Sequence, residues 1–206
     1  PSSKVIHYLG DFHLMYYCKG LIYNVLHKIE ILCWKKVDKI WVITSSMANL
    51  IKRETAKTAP LVRESVEEVD IYSFPDKVLK NSVSTQKVVM FHGLINKSKG
   101  LELFLEVATY FPTVIFKIVG DGPSLKELKN KAPINVVFTG WVDKEQVIEH
   151  IATCDIGIAM RSDNPGNQYN LTTAFLQYGI MKKSVLVPNK ECYKQIKYLY
   201  TYRNKE

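Results

Sequence analysis

Short β-rich runs alternate with segments of helical spacing along the chain, most regularly in its second half. The predicted strands are residues 4–9, 39–44, 87–93, 113–120, 134–141, 155–160 and 184–188. The predicted helices are 14–37, one that starts at Ser45 or Ser46, 99–111, one that starts after Ser124, 144–153, 171–181 and 190–203. Strands that are apolar throughout and alternate with helices are typical of a parallel sheet covered on both faces. We therefore predict an α/β fold, with such a sheet in the second half and a smaller α/β piece before it.

Two of the predicted helices begin with a sequence that is typical of a capping box. Ser124 is followed three residues later by Glu127, and Asp143 is followed by Gln146. In a capping box these two side chains satisfy each other's backbone N–H groups at the first turn. Both helices are therefore predicted to start at these residues.

Polar and glycine-rich residues follow several of the predicted strands. The strand ends read His92-Gly93, Gly120-Asp121-Gly122, Gly140-Trp141 and Met160-Arg161-Ser162. Open parallel sheets bind ligands in the crevice outside the carboxyl ends of their strands. The pattern therefore predicts a ligand crevice at this edge of the sheet.

The stretch 73–86, SFPDKVLKNSVSTQ, is the best candidate for a domain boundary. It interrupts the alternation of strands and helices with proline, serine and charged residues. We therefore predict two parts, an N-terminal α/β part over 1–75 and a ligand-binding domain over 76–206.

The predicted helix 14–37 is apolar on more than one face. One stripe at helical spacing consists of Leu14, Cys18, Leu21, Ile22, Val25, Ile29, Leu32 and Cys33, and we expect it to face the core. The opposite half carries lysines together with Tyr16, Tyr17, Tyr23, Ile31 and Trp34. Because a solvated face rarely holds so many large side chains, we expect a cover over this half. The alternatives are further protein structure, a second copy or partner chain, and an anionic membrane surface.

Composition excludes several classes of protein. Of the 206 residues, 47% are apolar and 23% are charged, which is the balance of a globular chain and not of a disordered one. No apolar run approaches the roughly 20 residues that a helix needs to span a bilayer. The N-terminus lacks the layout of a signal peptide, so we expect a cytoplasmic chain, with attachment to the inner face of a membrane as an option.

The chain carries 28 basic and 20 acidic residues, a net charge of +8, and its C-terminal end is the most basic part. An anionic partner suits this balance: a nucleotide, a lipid phosphate or a nucleic acid. No nucleic-acid-binding module is recognisable, so we expect no nucleic acid. The four cysteines form no CxxC pair, which argues against zinc and favours buried thiols in a reducing compartment.

Four consecutive segments carry a resemblance to a known family. They are VDKIWVITSSMANLIKRE (37–54), MFHGLINKSKGLELFLEVA (90–108), FKIVGDGPSLKEL (116–128) and NVVFTGWVDKEQVIEHIATCDIGIAM (135–160). In content, order and spacing they resemble family 4 glycosyltransferases of the GT-B fold, over about residues 4–188. The resemblance implies two Rossmann-like domains that face a cleft. It also implies transfer of a sugar from a nucleotide-diphosphate donor, with retention at the anomeric carbon and without a metal or a bound cofactor.

The resemblance implies donor-binding residues at the strand ends. Lys99 stands beside Gly100 at a predicted helix start, where a cation, free N–H groups and the positive helix end suit the diphosphate. Gly93 permits a close backbone approach to the ligand, and Trp141 is a candidate wall for the base. Gly122, in the turn GDGP, is a candidate contact as well, although Gly122 and Trp141 could equally have only a structural role.

Departures from the family pattern qualify this interpretation. The family has an arginine where this chain has Leu94, and Lys97 and Arg161 are the candidate substitutes. The family's ribose-binding glutamate is Gln177 here, which can hydrogen-bond a hydroxyl without charge assistance. The earlier acidic position of the family's spaced pair falls near Tyr169.

Other departures fall at a glycine position and in the N-terminal part. Lys182 stands for a family glycine. The family often ends its N-terminal strand in a His-Asp pair, and Asp11 with His13 two residues later are our candidate catalytic residues on the acceptor side.

The leading hypothesis is therefore a retaining glycosyltransferase that uses a UDP- or GDP-type sugar donor and an unidentified glycan, lipid or protein acceptor. Family members have more residues before position 75 and after 188, so the N-terminal part is expected to be incomplete, and activity of this chain alone is in doubt. One alternative is a non-catalytic nucleotide-sugar-binding or scaffolding subunit of the same fold. A third is a basic protein that binds nucleic acid or a membrane surface.

Overall fold

The computed structural model describes residues 4–9, 20–60, 86–161, 165–194, 196 and 200–202. Within these residues the strands are β1 (Ile6–Leu9), β2 (Lys39–Val42), β3 (Val88–His92), β4 (Ile115–Val119), β5 (Val136–Gly140), β6 (Ile156–Ile158), β7 (Ser184–Pro188) and β8 (Tyr200–Tyr202). The α-helices are α1 (Gly20–Lys36), α2 (Ser45–Thr55), α3 (Leu101–Tyr110), α4 (Leu125–Lys131), α5 (Lys144–Thr153) and α6 (Thr173–Ile180). Two 3-10 turns cover Lys97–Lys99 and Pro165–Gln168.

Six of these strands form one parallel sheet in the order β5-β4-β3-β6-β7-β8. Helices follow β3, β4, β5 and β6 along the chain, so the alternating pattern correctly predicts a parallel α/β fold. The last strand is an exception, because β8 lies where the pattern predicts a helix over 190–203. Its sequence, Tyr-Thr-Tyr, consists of aromatic and β-branched residues, which favour a strand over a helix.

The core of this sheet is formed by aliphatic and aromatic side chains. Phe104 on α3 meets Phe116 on β4 edge to face, with ring centroids 5.1 Å apart. On another helix, α6, the fully buried Tyr178 donates its hydroxyl to the carbonyl of Met90, at 2.8 Å. Gly157 on β6 makes room for this ring, since a Cβ there would lie 2.4 Å from it. The buried tyrosine thus fixes α6 against the centre of the sheet.

The first strands form a separate two-stranded parallel sheet of β1 and β2. The chain divides into two compact units, and the smaller one contains residues 1–65, 163–171 and 190–197. Within it, the Thr44 hydroxyl caps α2 by accepting a hydrogen bond from the N–H of Met47 at 3.2 Å. The same hydroxyl donates to the carbonyl of Tyr169 at 2.7 Å. The predicted boundary near residue 75 lies outside the described residues and stays a prediction.

Helix α1 turns the opposite face to the core from the one that its sequence predicts. Trp34 is buried, and Tyr23 and Ile31 pack beside it against β2 and α2. The predicted core stripe is exposed instead: Leu21 79%, Ile22 67%, Val25 51%, Ile29 51% and Leu32 58%. The aromatic face provides larger side chains to bury. The ring of His27 stacks on that of Tyr23, with centroids 5.2 Å apart, and meets the ring of Trp34 edge to face, with centroids 5.9 Å apart. Leu14, Tyr16, Tyr17 and Cys18 lie outside the described residues.

The two predicted capping boxes have different outcomes. At α5 the Asp143 carboxylate accepts from the N–H of Gln146 at 2.8 Å, and the Gln146 side chain accepts from the N–H of Asp143 at 3.2 Å. At α4 the box is absent: Ser124 has near-helical dihedrals and its side chain makes no capping bond. Its intended partner, Glu127, bonds Lys131 at 2.6 Å instead, because the two lie one helical turn apart.

The cysteines are only partly as expected. Cys154 and Cys192 are buried, Cys33 is exposed, and all three are free thiols. Burial raises the pKa of Cys154 to about 11, so its thiol stays protonated at neutral pH. Among the described residues, no set of three His, Cys, Asp or Glu side chains is grouped to hold a metal ion. Nor does this part of the chain contain a helix that is both long and apolar enough to cross a membrane.

Candidate donor-binding site

The loops that follow β3 and β4 cross each other backbone against backbone. The N–H of Gly93 donates to Val119 at 2.9 Å, and the N–H of Ile95 donates to Asp121 at 2.8 Å. A Cβ on Gly120 would lie 2.1 Å from the carbonyl oxygen of Gly93, and one on Gly122 would lie 2.3 Å from that of Ile95. This crossing therefore requires glycine at Gly120 and Gly122, whatever they bind, which supports the structural alternative for Gly122.

Gly93 itself has a different role in the loop. Its φ of 128° is a conformation that side chains disfavour, yet a Cβ there would meet only one atom, at 3.9 Å. The backbone at Gly93 is exposed and lies at the carboxyl end of β3. The position is thus exposed and uncrowded, and the close approach of a ligand to it stays a prediction.

Lys99 ends the 3-10 turn and precedes the first turn of α3. Gly100 between them has a left-handed φ of 67°. The Lys99 side chain is half-buried, and its burial together with the positive charge of Arg161 lowers the pKa of its ammonium group. The structure therefore brings Lys99 and Arg161 close enough for their charges to interact.

Trp141 follows β5 and is 76% exposed, so it is not a buried packing residue. Gly140 before it has a φ of 76°, and the N–H of Gly120 donates to the carbonyl of Gly140 at 3.1 Å. A flat, exposed ring after a strand end can stack on a planar ligand. The contact of Trp141 with a base stays a prediction, as do the ligand contacts of the other site residues.

An open pocket of about 390 Å³ lies over the turn that contains Gly122. It is lined by Asp121, Gly122, Pro123, Leu125, Lys126, Lys129 and Asn130. Neither Lys99 nor Arg161 lines it, so the pocket and the Lys99–Arg161 pair are distinct features of the larger unit.

The two positions of the family's spaced acidic pair carry no acid. Gln177 lies on α6, half-buried, beside Tyr178. Tyr169 belongs to the smaller unit, where it packs against the buried core and its carbonyl accepts from Thr44. Tyr169 therefore has a structural role in that unit. Asp11 and His13 lie outside the described residues, and their catalytic roles stay predictions.

His92 lies at a strand end that the sequence singles out, but it is not among the predicted site residues. It ends β3, is 7% exposed and meets the ring of Tyr178 at 5.0 Å. Burial lowers its pKa to about 4, and its Nε2 has no hydrogen-bond partner among the described residues. A histidine at the end of an otherwise apolar strand is the signal that could have drawn attention to it.

Comparisons with known proteins agree on the fold. Residues 86–187 match the family model described as glycosyl transferases group 1. HepE from Anabaena, solved with UDP, superposes with a TM-score of 0.76 at 12% identity, over 98% of this chain and 59% of HepE. Sucrose-phosphate synthase from Thermosynechococcus elongatus gives 0.73 at 12%, over 98% and 55%. TarM gives 0.73 at 16%, over 99% of this chain and 41% of TarM.

These neighbours are GT-B glycosyltransferases, so the comparisons confirm both the predicted α/β fold and the resemblance. At these identities the likeness shows the fold alone. The chain spans only 41–59% of the length of the three structures. No curated protein matches the chain.

Proposed function

We propose that this chain, a GT-B-type protein with a glycosyl transferases group 1 domain over residues 86–187, binds a nucleotide-diphosphate sugar and takes part in retaining transfer of the sugar. The observation that carries the proposal is the half-buried Lys99 at the start of α3. A helix start offers free N–H groups and a partial positive charge, and a lysine beside it adds a full charge. Together they suit a diphosphate.

The remaining donor contacts are proposed from the family resemblance. The exposed backbone of Gly93 lies against the phosphates, Trp141 stacks on the base, and Gln177 hydrogen-bonds the ribose hydroxyls. Gly122 shapes its turn and, as predicted, can also contact the donor. UDP is the favoured nucleotide because HepE has been solved with UDP and with UDP-glucose. A GDP-type donor is the alternative.

The acceptor side rests on residues 1–75, where Asp11 and His13 are the proposed catalytic residues. The acceptor is a glycan, a lipid or a protein. Because the chain spans only 41–59% of the length of the three solved structures, we expect the transfer reaction to need a partner or a longer chain. We assign the chain to the cytoplasm, and the lysines beside the exposed face of α1 suit attachment to the inner, anionic face of a membrane.

A second candidate is a non-catalytic, nucleotide-sugar-binding subunit. It is favoured by the loss of charge at two family positions, Leu94 and Gln177.

A binding measurement followed by a turnover assay tests the proposal. We expect UDP or GDP to bind and to raise the unfolding temperature; a ligand at a hundred times its Kd adds about 2.7 kcal/mol of stability. Lys99→Ala should weaken UDP binding roughly tenfold or more, because a charge-assisted hydrogen bond contributes about 1.5–3 kcal/mol. Lys87→Ala is the control, because this exposed lysine lies just before β3, at the other end of that strand from Lys99.

The outcomes separate the two candidates. Binding with release of sugar from UDP-sugars supports the transferase, and binding without turnover both in this chain and in a longer chain supports the scaffolding subunit. If no nucleoside diphosphate binds, or if Lys99→Ala and Lys87→Ala behave alike, the proposed donor site is wrong.

A further inference from the structure

The outer face of α1 combines aliphatic side chains with lysines. Its aliphatic stripe consists of five side chains that are each exposed by half or more: Leu21, Ile22, Val25, Ile29 and Leu32. The other exposed residues of the helix are Gly20, Asn24, Lys28, Cys33, Lys35 and Lys36. The single acid of α1, Glu30, is half-buried and bonds His27 at 3.1 Å. The outer face of this helix is therefore apolar, and all of its charges are positive.

The lysines border the aliphatic stripe and do not divide it. Residues three or four apart share one side of a helix, so Lys28 and Lys35 both lie beside Leu32, along one flank of the stripe. Lys36 follows Ile29 by seven residues and lies at the carboxyl end of the helix. Within the described part of the chain, none of the three lysines is in an ion pair. Their charges are thus available to an anionic partner.

The acids nearby in the chain do not neutralise these lysines. Residues 20–60 contain seven basic and three acidic side chains. All three carboxylates have other partners, at 2.7–3.1 Å: Glu30 with His27, Asp38 with the N–H of Val5, and Glu54 with Arg53. The excess of positive charge therefore stays on the surface, where it attracts anions.

A second copy of the chain is a poor cover for the outer face of α1. In an antiparallel pair of these helices, Leu21 of one copy would meet Lys35 and Lys36 of the other, and in a parallel pair lysines would meet lysines. Neither arrangement offers a lysine an acid, so each ammonium group would lose water without gaining an ion pair. An anionic lipid surface offers every lysine a phosphate. It also conforms to a convex helix and needs no matching groove.

We propose that the outer face of α1 docks onto an anionic lipid surface, with the aliphatic stripe inserted among the headgroups and Lys28, Lys35 and Lys36 at the phosphates. The stems of the lysines lie along the apolar layer while their charges stay at the headgroups. The aromatic face of the helix remains in the core of the smaller unit, so docking requires no unfolding. This inference deepens the membrane attachment proposed above and rests on it, but it does not depend on the donor site.

Vesicle flotation tests the docking, with phosphatidylcholine alone and with phosphatidylcholine mixed with phosphatidylglycerol. We expect the wild-type chain to float with the anionic vesicles and to be released by high salt. Ile22→Gln combined with Ile29→Gln should lower the partitioning roughly tenfold or more, because two inserted aliphatic side chains are lost. Lys28→Gln combined with Lys35→Gln should lower it about tenfold on anionic vesicles, and should not change it on neutral ones.

Lys126→Gln combined with Lys129→Gln is the matched control. It removes the same two charges from exposed positions on α4, in the larger unit, and should change the partitioning by no more than about twofold. All the substituted side chains are exposed, so every variant should keep the wild-type hydrogen exchange of the β2 amides. The α1 variants should also bind UDP like the wild type, so the docking and the donor site can fail independently.

Four results would overturn the inference. Absence of flotation with either vesicle leaves the outer face to a protein cover. Flotation that survives Ile22→Gln with Ile29→Gln shows attraction by charge without insertion. An equal loss in the α4 control shows an effect of net charge and not of this face. A dimer in lipid-free buffer that Ile22→Gln with Ile29→Gln dissociates shows that a second copy covers it. A chain that floats as expected but does not bind UDP supports this inference and overturns the donor site.

Discussion

Helices α3 and α1 show how differently the two units bury their apolar surface. In the larger unit, α3 buries Leu101, Phe104, Leu105 and Ala108 and turns Glu102, Glu106 and Thr109 to solvent. In the smaller unit, α1 buries Trp34 and leaves five aliphatic side chains exposed by half or more. The first helix follows the usual pattern of one apolar and one polar face. The second is apolar on both sides.

The difference lies in the outer face of each helix. A sheet covers only one face of a helix, and the outer face of α3 is polar and needs no cover, whereas the outer face of α1 is aliphatic and stays exposed among the described residues. Each exposed aliphatic side chain forgoes roughly 1.5–3 kcal/mol of burial. We therefore still expect a cover on α1, now over the aliphatic stripe and not over the aromatic face. Among further structure, a partner or second chain and an anionic membrane, the lysines that flank this stripe favour the membrane proposed above, and the vesicle experiment tests it against the other two.

Two neighbouring substitutions on α1 test which face of the helix is buried. Trp34→Ala should destabilise the smaller unit by about 3–5 kcal/mol, because it empties a buried site. Leu32→Ala, on the exposed face, should stay within about 0.5 kcal/mol. Hydrogen exchange of the β2 amides in both variants measures the effect. Equal losses of protection, or a larger loss for Leu32→Ala, would contradict the burial of the aromatic face.

The strands of the larger unit, β8 excepted, could be predicted from the sequence because their signals are local. The pattern places β7 at 184–188, as observed, and β3 within one residue at each end. The exposed face of α1 could not be predicted in this way, because a helix with two apolar faces gives a periodicity that fits either orientation. The choice depends on the sheet beneath it.

The residues of the candidate site likewise divide into those that local sequence signals identify and those that only the tertiary fold brings together. Gly93 and Lys99 are identified by position, next to a strand end and a helix start. The proximity of Arg161 to Lys99 depends on β6 lying beside β3, although β4 and β5 separate them in the chain. Spacing along the sequence does not carry that adjacency, so it left Lys97 and Arg161 as equal candidates.

Acid should weaken the larger unit specifically, because His92 lies buried within it. The unfolded imidazole has a pKa near 6.5 and the folded one about 4, so between these values the unfolded state binds more protons. Stability is therefore complete above pH 6.5 and falls as the pH drops, by about 3 kcal/mol at pH 4. Urea unfolding across this pH range, followed by amides of β3 and β4, measures the loss.

Two variants assign the acid effect to its residue. His92→Phe should flatten the profile, because it removes the titrating group and keeps an aromatic ring against Tyr178. His150→Gln controls for a second histidine, whose pKa is lowered by burial and by Lys117. A steep acid dependence that persists in His92→Phe would show that another group carries it.

The smallest expected effect concerns one left-handed residue in each unit. Lys182, at a family glycine position after α6, has a φ of 54°, and Ala56 at the end of α2 has a φ of 61°. This conformation costs a residue with a Cβ about 1–2 kcal/mol of strain. Glycine avoids the strain but loses more chain entropy on folding, which offsets part of the gain. Lys182→Gly and Ala56→Gly should therefore each stabilise by about 0.5–1 kcal/mol.

The pair also tests whether the two units unfold separately. Thermal unfolding followed by hydrogen exchange should show Lys182→Gly protecting β6 and β7, and Ala56→Gly protecting β1 and β2. The exposed Gly179→Ala, in the helix preceding Lys182 and with free space around its Cβ, controls for a general effect of chain entropy. Destabilisation by either glycine substitution would contradict the left-handed backbone at that position. Equal protection of all four strands by both would show that the two units unfold together.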